Sequence, residues 1–273
     1  MQSASVKEES QAGNPHPDRI PILDTLRGLS VTLMVVYHGF FTFIYMFGGL
    51  YIQQNSTYWR PIIQNLYNAF HSPLLLFLEP FFAGLFIVIA GICCNFSKSN
   101  LRRGLIAFSF GMLLTVVTVF LLPTAGEYFG FDFSGIDIYF GILHLLGFCM
   151  IFYGLLGRWI SKLPWPFMFL WLTLFAVTYP LIEMRFSVPN LYFLGFADAN
   201  YTYADHFPIL PWIFLFLFGV SVGRLIKEHK FPSWFYKIGF TPLSFVGRHS
   251  LLIYMAHQPV IYGIMLLVYQ LMI

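Results

Sequence analysis

The sequence predicts an all-α polytopic membrane protein with about seven transmembrane helices, its amino terminus in the cytoplasm and its carboxyl terminus outside. Of the 273 residues, 58% are hydrophobic and only 10% are charged, whereas soluble proteins average about 25% charged residues. The apolar residues also form runs long enough to cross a hydrocarbon core of ~30 Å as helices. The net charge of +3 is too small to favour nucleic acid as a partner.

The amino-terminal segment differs from the rest of the chain. Residues 1–18 are polar, include two prolines and lack the apolar core of a signal peptide. We therefore expect residues 1–18 to form a disordered cytoplasmic tail and residues 19–273 to form a single transmembrane domain.

Seven apolar segments follow the tail, and they are taken as the predicted spans: 26–47, 73–96, 105–122, 138–156, 165–182, 209–226 and 245–269. The mixed, aromatic stretch 48–70 predicts an interfacial loop or a short surface helix. Lysine and arginine cluster in the tail and after the second, fourth and sixth spans, while only Arg60 and Arg185 fall in the opposite loops. By the positive-inside rule, this alternation places the amino terminus in the cytoplasm and the carboxyl terminus outside.

Four ionisable residues within the spans are the candidate catalytic residues. Counted along the helices at about 1.5 Å per residue, His38 and His257 lie ~18 Å from the inner side, and Glu79 and His144 lie ~9 Å below the outer side. All four then share one layer of a ~30 Å core. A charged residue at the centre of a span costs about 3 kcal/mol by insertion scales, which makes such residues functional candidates. The alternative for each histidine is a hydrogen bond between helices, worth about 0.6 kcal/mol.

The chemistry of this layer and of the inner helix ends is distinct. An imidazole is the usual general base, and a carboxylate beside it orients the ring. The inner helix ends carry a group of cationic residues: Arg27, Arg102, Arg103, Arg248 and His249. These residues suit the binding of a phosphorylated, nucleotide-like donor. The alternative is that they are only topology signals with snorkelling side chains. The acidic, aromatic outer loops suit a sugar-like acceptor. The three cysteines lie inside apolar runs, which predicts neither a disulfide nor a metal site.

Four separated motifs of the chain are R-I-P-I-L-D-T-L-R-G-L-S-V-T-L-M-V-V-Y-H at 19–38, I-Y-F-G-I-L-H-L-L-G at 138–147, P-I-L-P-W-I-F-L-F-L-F-G-V-S-V-G-R-L at 208–225 and F-V-G-R-H-S-L-L-I-Y-M-A-H-Q-P-V at 245–260. Together, and in this order, they resemble the heparan-α-glucosaminide N-acetyltransferase-like membrane family in its short prokaryotic form. The spacing of Arg27 and His38 is also similar to that of the broader membrane acyltransferases that O-acylate cell-envelope polysaccharides.

The resemblance implies a transmembrane acyltransferase of a prokaryotic cytoplasmic membrane. Its donor would be acetyl-CoA from the cytoplasm, and its acceptor a hydroxyl or amine of a sugar or glycan on the far side of the bilayer. His38 would be the leading catalytic residue, as general base or acyl carrier, and Arg27 would organise the inner part of the site. The lysosomal enzyme that names the family is much longer, so its heparan acceptor is not carried over.

Two other functions are compatible with the same residues. A proton-coupled transporter or permease also uses intramembrane histidine and acidic residues, although the faint similarity of spans one and seven does not divide the chain into two equal repeats. An accessory subunit without chemistry of its own is the third hypothesis. Solute flux without an acyl donor would favour the permease. The aromatic outer faces would serve lipid contact or a homo-oligomer equally well.

Overall fold

The computed structural model describes residues 19–129, 136–186, 190–197 and 205–271. Within these residues the regular elements are helices, and six of them are long and apolar enough to cross a membrane: Pro21–Gln54, Pro73–Phe96, Asn100–Tyr128, Ile142–Ile160, Ile209–Lys227 and Ser250–Leu271. A shorter apolar helix, Phe167–Ile182, lies where the fifth span was predicted. The predicted all-α membrane architecture is confirmed. The predicted tail lies outside the described residues. The orientation of the termini stays a prediction, and the inner and outer ends of the helices are named by it.

The first span contains two α-helical parts joined by a six-residue π-helical turn, Thr42–Phe47. Proline at the first helical position suits the start of α1, because its fixed φ is helical and its missing N–H has no helical partner to lose. The side chain of Asn55 accepts a hydrogen bond from the Tyr58 N–H and so caps the next helix. The helices are α1 (Pro21–Phe41), α2 (Gly48–Gln54) and α3 (Ser56–Phe70). Part of the predicted interfacial stretch thus continues the first span, and the rest forms the separate helix α3.

The middle of the chain supplies the second to fourth spans. Ser72 and Ser99 cap two of these helices through their hydroxyls, which accept the N–H groups of Leu75 and Arg102. A 3₁₀ turn extends the second span to Phe96, and a π-helical turn lies within the third. The helices are α4 (Pro73–Cys93), α5 (Asn100–Thr115), α6 (Leu122–Phe129) and α7 (Ile142–Ile160).

The last part of the chain departs from one prediction. The helices are α8 (Phe167–Thr178), α9 (Ile209–Lys227), α10 (Thr241–Arg248) and α11 (Ser250–Leu271). The seventh span was expected to run from residue 245 through Arg248 and His249, but the helix breaks at His249. Phe245–Arg248 therefore belong to the short helix α10, and the spanning helix begins one residue after the break.

Helix packing brings the first span and the end of the chain together. Gly28 of α1 lies against the backbone of Leu243 and Gly247 in α10, and Gly247 in turn lies against Asp24 and Gly28. A Cβ at Gly28 would lie 3.0 Å from the Gly247 nitrogen, and one at Gly247 would lie 3.0 Å from the Gly28 nitrogen. Because both positions lack a side chain, the two backbones touch. This contact fixes α10, and with it the start of α11, beside α1.

Candidate functional site

Two of the four predicted catalytic residues are neighbours in the structure. The rings of His38 on α1 and His257 on α11 lie with their centroids 5.0 Å apart and their planes at 73°. His257 is 8% exposed, and His38 is partly buried. The packing of α1 against α11 therefore creates a pair of imidazoles inside the membrane-spanning region. The rings of His38 and His257 together are called the imidazole pair.

Hydrogen bonds determine which nitrogen of each ring is basic. Nδ1 of His38 lies 2.9 Å from the carbonyl oxygen of Met34, and Nδ1 of His257 lies 2.6 Å from that of Tyr254. A carbonyl oxygen only accepts, so each Nδ1 carries the proton, and each Nε2 carries a lone pair. Nε2 of His257 is buried and has no hydrogen-bond partner among the residues that the structure describes. The imidazole pair thus presents two basic nitrogens.

Glu79 is connected to the imidazole pair through Tyr37. The Tyr37 hydroxyl donates a hydrogen bond of 2.8 Å to Oε2 of Glu79. The Tyr37 ring in turn packs edge-on against His38, with centroids 5.6 Å apart. The carboxylate itself is exposed at the protein surface. The predicted acid therefore lies near His38, and the tyrosine that links them was missed because its role depends on a contact between α1 and α4.

Asp205 is a second acid at the site, and sequence reasoning did not select it. Its Oδ2 accepts hydrogen bonds from the Tyr254 hydroxyl at 2.5 Å and from the Ile142 N–H at 3.3 Å. The pKa of Asp205 is raised overall, chiefly by burial, and the Tyr254 hydrogen bond and a positive charge on His38 oppose that rise. The residue lies in a loop before α9, far along the chain from both partners. The one available signal was an acid close to the start of a predicted span.

Both ring nitrogens of His144 form hydrogen bonds at the start of α7. It is 1% exposed. Its Nδ1 accepts the Gly141 N–H at 3.2 Å, and its Nε2 lies 3.3 Å from the Thr115 hydroxyl. That hydroxyl donates its own proton to the Ile138 carbonyl, so Nε2–H is the donor in the contact with Thr115. Both ring nitrogens of His144 are therefore occupied by local partners, and the residue presents no free nitrogen.

Arg27, predicted to organise the inner part of the site, is already paired. Its guanidinium contacts Asp24 Oδ1 at 3.4 Å and Cys93 Sγ at 2.6 Å. Asp24 also accepts an ion pair from Arg19 at 3.1 Å. Gly247 of α10 lies against the backbone of Asp24, and Arg248, the next residue, is exposed at the end of α10. Part of the positive charge at this end is thus neutralised by Asp24.

The other predicted cations are exposed at the inner helix ends. Arg102 and Arg103 lie in the first turn of α5, and His249 lies at the break before α11. Asn100 holds the start of α5 against the end of α4 by donating to the Cys94 carbonyl at 2.9 Å. These side chains are therefore free of the ion pairs that occupy Arg27, within the described residues.

A cavity of about 550 Å³ also opens at this end, beside α4, α5, α7 and α9. Three of its lining residues are cations: Lys98, Arg224 and Lys227. Arg224 donates to the carbonyl oxygens of Ser161 and Leu163, at 2.7 and 2.8 Å, and Lys227 donates to that of Asn95 at 3.1 Å. Two of the three cations therefore hold helix ends together.

The fold and the site define a class: a polytopic helical membrane protein with an imidazole pair and one acid in its spans, a second acid in an adjoining loop, and a group of cations at one end. The chain belongs to the heparan-alpha-glucosaminide N-acetyltransferase family, since the model of that family's catalytic domain matches residues 19–259. It is thus a member of a family of membrane N-acetyltransferases, and the family resemblance of the four motifs is confirmed. Searches of curated proteins and of solved structures gave no significant match.

Proposed function

We propose that this protein is a transmembrane acyltransferase that moves an acetyl group from cytoplasmic acetyl-CoA to a hydroxyl or amine of a sugar-like acceptor at the outer side. Family membership supports the class of reaction. The observation that carries the mechanism is the imidazole pair, whose Nε2 nitrogens are unprotonated and lie among the spanning helices. The proposed location is a prokaryotic cytoplasmic membrane.

In the proposed reaction His38 acts as general base. Its Nε2 removes the proton of the acceptor hydroxyl or amine as that oxygen or nitrogen attacks the thioester carbonyl. The new C–O or C–N bond forms, the C–S bond breaks, and the departing CoA thiolate takes the proton from the imidazolium. Such proton transfer contributes typically 10²–10⁴-fold to a rate. Attack by His38 itself, giving an acyl-histidine that the acceptor then resolves, uses the same nitrogen.

The other predicted residues have supporting roles in this proposal. His257 provides a second base within reach of the first, and Glu79 acts through Tyr37 to hold His38. His144 fixes the start of α7 and, through it, the backbone N–H that Asp205 accepts. Arg27 shapes the inner end through Asp24 and Cys93, and the phosphates of CoA would be bound by the exposed cations Arg102, Arg103, Arg248 and His249.

The reaction is tested with purified protein in detergent, acetyl-CoA and glucosamine as the probe acceptor, with release of free CoA thiol as the readout. We expect thiol release that requires both substrates, and a loss of about a hundredfold or more in His38→Ala. His229→Asn is the matched control, because His229 is exposed and its φ of +55° is one that asparagine tolerates. A folded His38→Ala variant with wild-type activity would refute the role of His38.

Donor binding is tested separately by calorimetry with acetyl-CoA. We expect binding that weakens when Arg102 and Arg103 are both replaced by alanine, since phosphate recognition by arginine depends on its charge and planar donors. If folded wild-type protein binds no acetyl-CoA but carries a labelled solute across proteoliposomes, the permease hypothesis replaces the enzyme.

A further inference from the structure

We propose that Asp205 and Tyr254 position the imidazole pair and that Asp205 supplies its counter-charge from a partly buried position. The inference rests on the proposed acyl transfer, because it assigns roles in that reaction to two residues outside the predicted set. It also predicts an effect on the pH titration of the two imidazoles, which can be measured without an assay of acyl transfer.

Tyr254 connects Asp205 to His257 through two different groups of one residue. Its side-chain hydroxyl donates to Asp205 at 2.5 Å, and its main-chain carbonyl accepts from Nδ1 of His257 at 2.6 Å. Tyr254 and His257 lie in the same turn of α11, three residues apart. A displacement of the tyrosine therefore moves the hydrogen-bond acceptor that sets the tautomer and orientation of the His257 ring.

Several features of the fold hold Asp205 in place. Its φ is +45°, a left-handed conformation that aspartate adopts more readily than most residues. The absence of a side chain at Gly141 makes room for the carboxylate, since a Cβ there would collide with Oδ2. The carboxylate also accepts the Ile142 N–H at the start of α7, where a helix favours negative charge. The loop, α7 and α11 thus meet at this one side chain.

The charged and titratable groups facing Asp205 are Tyr254, His38 and Glu79, together with the Ile142 N–H. A proton on the His38 ring lowers the pKa of Asp205, and the charge of Glu79 raises it. The interaction is mutual, so ionised Asp205 favours the protonated form of the nearby imidazole. During acyl transfer an imidazole gains a proton, and a fixed negative charge in a low-dielectric surrounding stabilises that developing cation.

Two conservative substitutions separate charge from structure. Asp205→Asn keeps the shape and an oxygen acceptor for both hydrogen bonds but removes the charge. Tyr254→Phe keeps the ring and the main-chain carbonyl but removes the hydroxyl. Glu183→Gln is the matched control, because Glu183 is an exposed acid on the same predicted side of the membrane. For each protein we would measure kcat, the KM for donor and acceptor, the pH profile of kcat, and Tm.

We expect Asp205→Asn to lower kcat about tenfold or more, to leave both KM values within about twofold, and to move the acidic limb of the kcat profile to lower pH. The limb moves because an imidazole without a nearby negative charge loses its proton more easily. Tyr254→Phe should lower kcat less, and Glu183→Gln should behave as wild type. A fall in kcat that follows the loss of folded protein, with the limb unmoved, would reduce Asp205 to a structural residue and overturn the inference.

A second measurement keeps this inference distinct from the proposed function. Nuclear magnetic resonance of ring-labelled histidine follows the titration of the imidazoles in the wild type and in Asp205→Asn without substrates. We expect the variant to change the pH dependence of the ring resonances of the imidazole pair. Unchanged titration overturns the inference even if the wild type is an active acyltransferase. A shifted titration in a protein that transfers no acyl group supports the counter-charge while the proposed function fails.

Discussion

The imidazoles of His38 and His257 lie 5.0 Å apart although they come from opposite ends of the chain. At this separation two positive charges would repel each other, so a proton on one ring disfavours a second proton on its neighbour. The imidazole pair therefore accepts one proton, which either of its two Nε2 nitrogens can hold. The two rings are close because α10 holds α1 and α11 together. Their distance therefore depends more on the packing of these three helices than on any single side chain.

Replacement of His257 by alanine should reduce acyl transfer nearly as much as His38→Ala, by about a hundredfold. The two changes together should cost little more than either alone, since residues that act as a unit are strongly non-additive. Thiol release by the two single variants and the double variant measures this. Independent effects that multiply in the double variant would show that the rings act separately.

Loss of the Tyr37 hydroxyl should have a smaller effect. Tyr37→Phe keeps the edge-on contact with His38 but removes the 2.8 Å hydrogen bond to Glu79. Because the remaining ring still packs on His38, we expect a decrease of roughly threefold to tenfold in kcat, which corresponds to about 0.7–1.4 kcal/mol at the transition state. Glu79→Gln, which still accepts from Tyr37, serves as the comparison. If Glu79→Gln loses more than Tyr37→Phe, the acid acts by its charge and not through the tyrosine.

The sequence predicted those parts of the molecule that depend on local pattern. Apolar runs of spanning length identified the helices, and helical depth placed His38, His257 and Glu79 in one region, where the structure brings the two histidines into contact and reaches Glu79 through Tyr37. The break at His249 was missed because apolar residues continue on both sides of it, so hydropathy sees one segment.

The rest of the site depends on contacts between distant elements. Asp205 lies in an irregular loop, and no periodicity connects such a residue to Tyr254 or Ile142. The same limit applies to His144, whose depth matched that of the others although both its nitrogens are occupied by local partners. Depth along a helix fixes a level in the membrane but not the direction in which a side chain points.

The contact between Gly28 and Gly247 should be intolerant of side chains. Gly28→Ala introduces a Cβ that collides with the Leu243 carbonyl of α10, and overpacking of this kind typically costs about 1–3 kcal/mol. We expect a lower Tm in detergent and, because α10 leads into α11, a lower specific activity of the folded fraction. Gly263→Ala on α11 is the control, since a Cβ there meets nothing within 4 Å. Equal Tm values for the two variants would show that the helices separate without cost.

His206 should make stability depend on pH. Burial is the main cause that lowers its pKa in the folded protein, and the charge of Arg185 lowers it further, while the hydrogen bond to the Tyr192 carbonyl at 3.1 Å acts in the opposite direction. The unfolded chain, with an ordinary pKa of ~6.5, therefore binds the proton more readily than the folded one. Stability is then fully present above pH ~6.5 and decreases as the pH falls from there through the lower folded pKa.

We expect Tm to fall between pH 7 and pH 5, and to fall less in His206→Gln, whose amide keeps a donor for the Tyr192 carbonyl but does not titrate. For a domain of this size, a difference of about 1 kcal/mol corresponds to roughly 2–4 °C. Thermal unfolding of the two proteins in the same detergent across this range measures the difference. His229→Asn controls for the loss of an exposed histidine and should follow the wild type. Parallel curves for wild type and His206→Gln would mean that protonation of His206 does not contribute to acid destabilisation.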